Sequence, residues 1–311
     1  MTTVPRPNPA AGPAGVEPAG AEPAGFVVEV APGYRIHFLD WGEAGEPAVL
    51  VIHGLSNTAW SWMPAARRFR SVRHVVAMDL RGHGLSDAPT EGYDLPGFTD
   101  DVLAVAEGSG LLASADDRVV LAGYGFGAIV AAWAAVALAD RCAGLVLVDG
   151  GWESIETSTG MDVEEFLRNL DEPPEVLRSM TAFLADRAGF DPSTWDADQE
   201  RAARATVVET HAGKVVPATR PHALEACVRA MFDYDPAAVL ARVTCGIMAL
   251  RAADDEEGTR AAALAAISDA RVALGLDPIR AESFERDGHN LMRYRPDAVS
   301  AAIASIAEPT G

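Results

Sequence analysis

The chain has 311 residues, 49% of them hydrophobic, enough for one large α/β domain with room for an inserted subdomain. Its formal net charge is −20, from 45 acidic and 25 basic residues. Such a balance repels phosphate backbones and anionic lipid surfaces, so neither nucleic acid nor membrane is an expected partner.

Residues 1–25 repeat Pro-Ala-Gly and cannot bury apolar surface, so a disordered tail is expected there. FVVEV from Phe26 and YRIHFLDWG alternate as half-buried antiparallel strands do. AVLVIHG (48–54), HVVAMDLRGHG (74–84), VVLAGYG (119–125), AGLVLVDGG (143–151) and CGIMALRAADD (245–255) are different. Each is a short apolar run that stops at Gly, Asp or His, the pattern of a parallel strand covered on both faces. Helical patterns at 95–111 and 126–139 flank the glycine-rich stretch. The alternation predicts an α/β fold with a doubly wound, mostly parallel sheet, and ligands in such sheets bind at the carboxyl ends of the strands.

Between Trp152 and about Arg242 no strand pattern is visible. Acidic helical segments broken by prolines predict a helical cap over 152–242, inserted into a core of 26–151 and 243–311, which PDAVSAAIASIA closes as the last helix. The three cysteines, Cys142, Cys227 and Cys245, are odd in number and lack C-x-x-C spacing, so neither a disulfide framework nor a zinc site is expected. Cys142 and Cys245 sit beside apolar runs and read as buried free thiols. With no signal-like opening and no apolar run of about 18 residues, the expected location is cytoplasmic. No metal or organic cofactor is implied, and the chain is expected to be a monomer or homodimer.

The stretch AGYGFGA (122–128) has the frame Gly-x-Gly-x-Gly, with Gly125 at its centre. With His53-Gly54, DLRGHGLS (79–86) and Gly288-His289, it appears in an order that resembles the α/β-hydrolase family, in the branch with a helical cap between strands six and seven. The resemblance covers about 26–307. It implies a sharp strand-to-helix turn at 123–127 that presents a nucleophile above the sheet. Gly125 stands at that position, so the nucleophile is missing. Glycine accepts the turn's backbone conformation without steric cost.

The resemblance further implies that the amides of Leu55 and Phe126 form the oxyanion hole and that His289 is the catalytic histidine. Its carboxylate partner is expected at Asp255, beside Asp254, or else at Asp149, the first being preferred. Asp79 reads as a structural anchor of its loop. Ser56, Asn57, Trp60, Trp62 and Trp152 are candidates to touch substrate, with Ser56 and Asn57 equally placed to shape the loop. Haloalkane dehalogenases and capped epoxide hydrolases need an aspartate at the elbow, and serine esterases, lactonases and C–C hydrolases a serine. None of those covalent mechanisms is available with Gly125.

A histidine with a carboxylate partner is still a general base near neutral pH, and backbone amides survive any side-chain change. Two enzyme readings follow for a small apolar carbonyl-containing substrate. Either His289 activates a water that adds directly, or it moves a proton on the substrate itself, as in elimination, isomerisation, cyclisation, decarboxylation or cofactor-free oxygenation. The second is slightly preferred, because selection for hydrolysis favours keeping a nucleophile. Two alternatives stand beside these: a non-catalytic ligand-binding pseudohydrolase, and an ordinary hydrolase whose nucleophile has been exchanged for glycine by engineering.

Overall fold

The apolar runs line up side by side because each strand has two covered faces. In the computed structural model, which describes residues 22–31, 33–42, 45–252 and 258–307, β1 (Ala24–Ala31) and β2 (Tyr34–Asp40) form an antiparallel edge. Then come β3 (Ala48–Ile52), α1 (Met63–Phe69), β4 (Val75–Met78), α2 (Leu95–Gly108), β5 (Val119–Tyr124), α3 (Phe126–Leu138) and β6 (Cys142–Val148). After the cap follow β9 (Ile247–Ala252), α10 (Thr259–Ala273), β10 (Arg280–Phe284), α11 (Leu291–Tyr294) and α12 (Pro296–Ala307). The eight-stranded sheet has the order β1-β2-β4-β3-β5-β6-β9-β10, with β2 antiparallel to β4 and the pairs from β4 to β10 parallel.

Alternation along β5 shows how the apolar runs are used. Val119 and Leu121 join a core cluster with α2 and α3, while Val120 and Ala122 join a second cluster with α1 and α12. Each such fully buried Val or Leu contributes roughly 1.5–3 kcal/mol of burial energy. β10 (RAESF) is an edge strand and mostly exposed, so it carries no apolar run to mark it in the sequence. β1 begins at Ala24, so the last residues of the expected tail belong to the sheet.

Six helices lie between β6 and β9: α4 (Ile155–Thr159), α5 (Val163–Asn169), α6 (Met180–Gly189), α7 (Ala197–Ala205), α8 (Pro221–Phe232) and α9 (Pro236–Leu240). Ser154, Asp162, Ser179, Asp196 and Asp235 cap five of them by accepting from first-turn amides. The cap is not wholly helical. A small antiparallel hairpin, β7 (Val207–Glu209) with β8 (Val215–Pro217), corrects the strand-free expectation. Strands of three residues are too short to show a period, and Pro217 reads as a break in sequence although it ends the outer strand. No helix among the described residues is long and apolar enough to cross a membrane.

The strand-to-helix turn after β5 is built by close backbone contact. A Cβ on Gly123 would lie 2.1 Å from the Gly127 carbonyl oxygen, and one on Gly127 would lie 2.3 Å from that of Ile52. Both obstacles are backbone and cannot rotate away. Gly123→Ala is expected to destabilise the fold by on the order of 3 kcal/mol, read as a lower urea midpoint at unchanged m-value. A loss below about 0.5 kcal/mol would mean the turn is looser than described.

Candidate active site

Gly125 sits in the turn with φ 54° and ψ −117°, a left-handed conformation that glycine takes freely. Its amide donates to the Val148 carbonyl at 3.0 Å, and its own carbonyl accepts from Ala128 at 3.0 Å. A Cβ placed on Gly125 would meet His289 Nε2 at 3.2 Å and Cε1 at 3.5 Å, and next Gly54 Cα at 3.9 Å. The space above the elbow is therefore bounded by the histidine on one side and the loop after β3 on the other.

That loop is held by two buried histidines. His53 donates through Nδ1 to the Gly54 carbonyl at 2.7 Å and accepts the Leu80 amide on Nε2 at 3.0 Å. His83 donates through Nδ1 to the Arg81 carbonyl at 3.0 Å and accepts the Ser56 amide on Nε2 at 3.2 Å. These pairings fix both rings as neutral Nδ1–H tautomers. Burial pushes His83 down to about 3, and burial likewise lowers His53. Asn57 N closes the turn onto Gly54 O at 3.1 Å, and Ser56 takes φ 58°. Among the described residues, neither Leu55 N nor Phe126 N donates to a protein acceptor. Asp79 is buried beneath this loop and accepts from Ala59 N at 2.7 Å and Leu85 N at 3.0 Å, with His37 Nδ1 at 2.8 Å. Burial pushes its carboxyl up, but the His37 hydrogen bond, the favourable electrostatics of the neighbouring imidazoles and the Ala59 amide outweigh it, and the net shift is down.

His289 lies in the loop after β10, with its side chain exposed and its ring 4.6 Å from that of Tyr124. Its Nδ1 is 2.5 Å from Asp149 Oδ2. Asp149 follows β6, is 3% exposed, and takes φ 47°, an uncommon conformation for a residue with a side chain. Its amide donates to Leu250 O at 2.8 Å, and its Oδ1 accepts from Ala252 N at 2.9 Å, so β9 holds it on both sides. Burial raises the carboxyl. The hydrogen bond from His289 and its favourable electrostatics, the Arg260 guanidinium and the Ala252 amide together bring it below its ordinary value.

Arg260 and Glu153 carry no signal in the sequence and were not expected at the site. The Arg260 guanidinium is 3.0 Å from Asp149 Oδ1 and 2.8 Å from a Glu153 oxygen, and lies over the Trp152 ring. Arg260 is 107 residues beyond Glu153, and only the fold joins them. Asp149 is the carboxylate that the structure brings to His289; Asp255 and Asp254, the other expected home, lie outside the described residues.

A cavity of about 500 Å³ opens above the elbow, lined by Leu55, Gly125, Phe126, Asp149 and His289, with Ile129, Phe166 and Met231 on its apolar side. A second cavity of about 310 Å³ lies under the cap and shares Asn57 and Leu170 with the first. Ser56 lines this second cavity. The tryptophans are placed otherwise than expected. Trp62 and Trp152 are fully buried in the core, and Trp60 packs beside the core with Arg201 over its ring, so none of the three lines either cavity. Aromatics next to strand ends were absorbed by packing, the commoner fate of large apolar rings. Among the described residues no cluster of three or more His, Cys, Asp or Glu could hold a metal ion.

Residues 49–302 match the profile of the alpha/beta hydrolase family. Epoxide hydrolase 4 of Mus musculus is 33% identical over 149 residues, which are 47% of this chain and 38% of that protein. The 2-(acetamidomethylene)succinate hydrolase of Mesorhizobium japonicum is 29% identical over 142 residues, 45% of this chain and 49% of that protein. The aligned stretches thus span less than half the length of these relatives. The crystal structure of E-2-(acetamidomethylene)succinate hydrolase superposes with a TM-score of 0.74 at 22% identity, covering 91% of this chain and 98% of that one, a likeness of fold.

Neutral burial of His83 has a consequence for acid stability. Its value falls from 6.5 in the unfolded chain to about 3 when folded, so its share of the stability is complete above pH 6.5 and is lost as pH falls toward 3. The urea midpoint is expected to drop between pH 6.5 and 4, and His83→Gln, which does not titrate there, is expected to reduce that slope. An equal slope in both proteins would show that His83 is not buried neutral.

Proposed function

The chain belongs to the α/β-hydrolase family, and from that premise we propose that it is a hydrolase without a covalent intermediate, in which His289 activates a water that adds directly to a small, largely apolar ester or lactone. One observation carries the reading. His289 Nε2 faces the point where a nucleophile's side chain would begin, 3.2 Å away, while Nδ1 is engaged by Asp149 at 2.5 Å. With Nδ1–H donating to the carboxylate, the Nε2 lone pair is left to accept a proton at that point.

The proposed step runs as follows. A water stands in the place of the absent side chain, and His289 Nε2 takes its proton as the oxygen bonds to the carbonyl carbon. The carbonyl electron pair moves to oxygen, where the amides of Leu55 and Phe126 receive it; such donors are worth roughly 3–4 kcal/mol each where one has been removed. Collapse re-forms the carbonyl and expels the alkoxide, which takes the proton back from Nε2. Asp149 keeps the ring oriented and balances the imidazolium charge, and Arg260 and Ala252 N hold Asp149 in place.

Proton transfer on the substrate itself uses the same histidine. Water addition is the better supported of the two, because it uses the histidine, the two amides and the open position at 125 together. The apolar side of the cavity suits an uncharged substrate, and Asp149 and Glu153 disfavour a substrate carboxylate near the elbow.

Incubation with a panel of aryl esters and lactones, followed by mass spectrometry, is expected to give products that have gained one water. His289→Ala is expected to lower turnover by roughly 10²–10⁴. Gly125→Ser is expected to become acylated by p-nitrophenyl acetate, while the wild-type elbow acquires no adduct. Undiminished turnover in His289→Ala, or products isomeric with their substrates, would overturn the reading.

A further inference from the structure

At the other end of β6 and β9, away from Asp149, two thiols meet. Cys142 opens β6 and Cys245 stands just before β9, and their sulfurs are 3.5 Å apart although the residues are 103 positions apart in sequence. Both are free thiols. Cys142 is buried at 1% exposure, while Cys245 is only half-buried. We propose that this pair is an oxidisable dithiol, converted by a peroxide into a disulfide that closes the chain into a loop carrying the entire cap.

The surroundings assign the two roles. Arg271 donates to the Cys245 carbonyl at 3.2 Å, and Arg118 donates to the Cys142 carbonyl at 3.3 Å, so each cysteine's backbone is held by a guanidinium group. The Cys142 contact, with these arginines, holds the Cys245 thiol below its usual range against the effect of burial. Contact with Cys245 and burial push the Cys142 thiol up. Cys245 is thus the accessible, more acidic attacking sulfur, and Cys142 the resolving one. The third cysteine, Cys227, is buried in the core with its thiol pushed up by burial, and serves as an internal control.

The chemistry balances in two steps. The Cys245 thiolate attacks the O–O bond of hydrogen peroxide, taking one oxygen as a sulfenic acid while the other leaves as hydroxide, which becomes water with the thiol's proton. The Cys142 sulfur then attacks the sulfenic sulfur, the S–S bond forms, and the second oxygen leaves as water with the Cys142 proton. Two thiols lose two electrons, and one peroxide becomes two waters. The sulfurs are already in contact, so forming the bond asks them to close from 3.5 Å to the covalent distance of about 2 Å. A bridge across so long a loop constrains the unfolded chain strongly, which predicts a stabilised fold with the cap tied at its base.

The test treats the full-length protein with stoichiometric hydrogen peroxide, alkylates remaining thiols with iodoacetamide and maps peptides without reduction. The expected result is a linked Cys142–Cys245 peptide lighter by two hydrogens, with Cys227 alkylated and the link reversed by dithiothreitol. The thermal midpoint of the oxidised protein is expected to rise by on the order of 5 °C. In Cys142→Ala, peroxide is expected to leave a sulfenic acid on Cys245 that dimedone traps. Recovery of both thiols alkylated after peroxide, or linkage through Cys227 or between chains instead, would overturn the proposal. The wild-type peptide map decides this even if the variant fails to fold.

Discussion

The site depends on one close approach of backbone to backbone. β5 ends in a turn so tight that the carbonyls of Gly127 and Ile52 occupy the places where side chains on Gly123 and Gly127 would stand. This contact brings the start of α3 against the end of β3. It therefore puts the first amide of the helix and the loop of Gly54 and Leu55 on the same side of the sheet. Gly150 extends the constraint to β6, since a Cβ there would lie 2.9 Å from the Gly125 carbonyl oxygen. Three strand ends are locked together before any side chain is considered.

Uncommon backbone conformations collect at the same place. Ser56, Gly125 and Asp149 all have positive φ, and among the described non-glycine residues only Ala139 shares it. Such conformations persist where surrounding contacts over-determine them. Ser56 is held by His83, Asp149 by the Leu250 carbonyl and the Ala252 amide. The histidines divide by environment. His53 and His83 are buried and serve as neutral links between loops, whereas His289 is exposed to the cavity and bonded to a carboxylate. Three residues of one chemical type thus do two kinds of work, and burial separates them.

Much of this was legible in the sequence, because fully apolar runs ending in Gly, Asp or His report both the sheet and the edge where a site forms. The Gly-x-Gly-x-Gly frame located the turn, and His289 was found by its glycine neighbour. The pairing of His289 was less legible. Asp149 and Asp255 both end apolar strands, and nothing local separates them; the ladder between β6 and β9 puts Ala252 N under Asp149. Arg260 and Glu153 carry no sequence signal because their contact with Asp149 is made only by long-range folding. The tryptophans were misplaced for the reverse reason, since position near a strand end says nothing about which way a ring turns. The hairpin in the cap was hidden by strands of three residues.

On the proposed reading, the open position above Gly125 is where the attacking water stands. A crystal structure at a resolution that orders solvent would show whether it does. An oxygen atom is expected above Gly125, within hydrogen-bonding distance of His289 Nε2 and of the amides of Leu55 and Phe126, with Asp149 on Nδ1. A structure in which His289 turns away from Asp149, or in which neighbouring side chains close the space over Gly125, would contradict it.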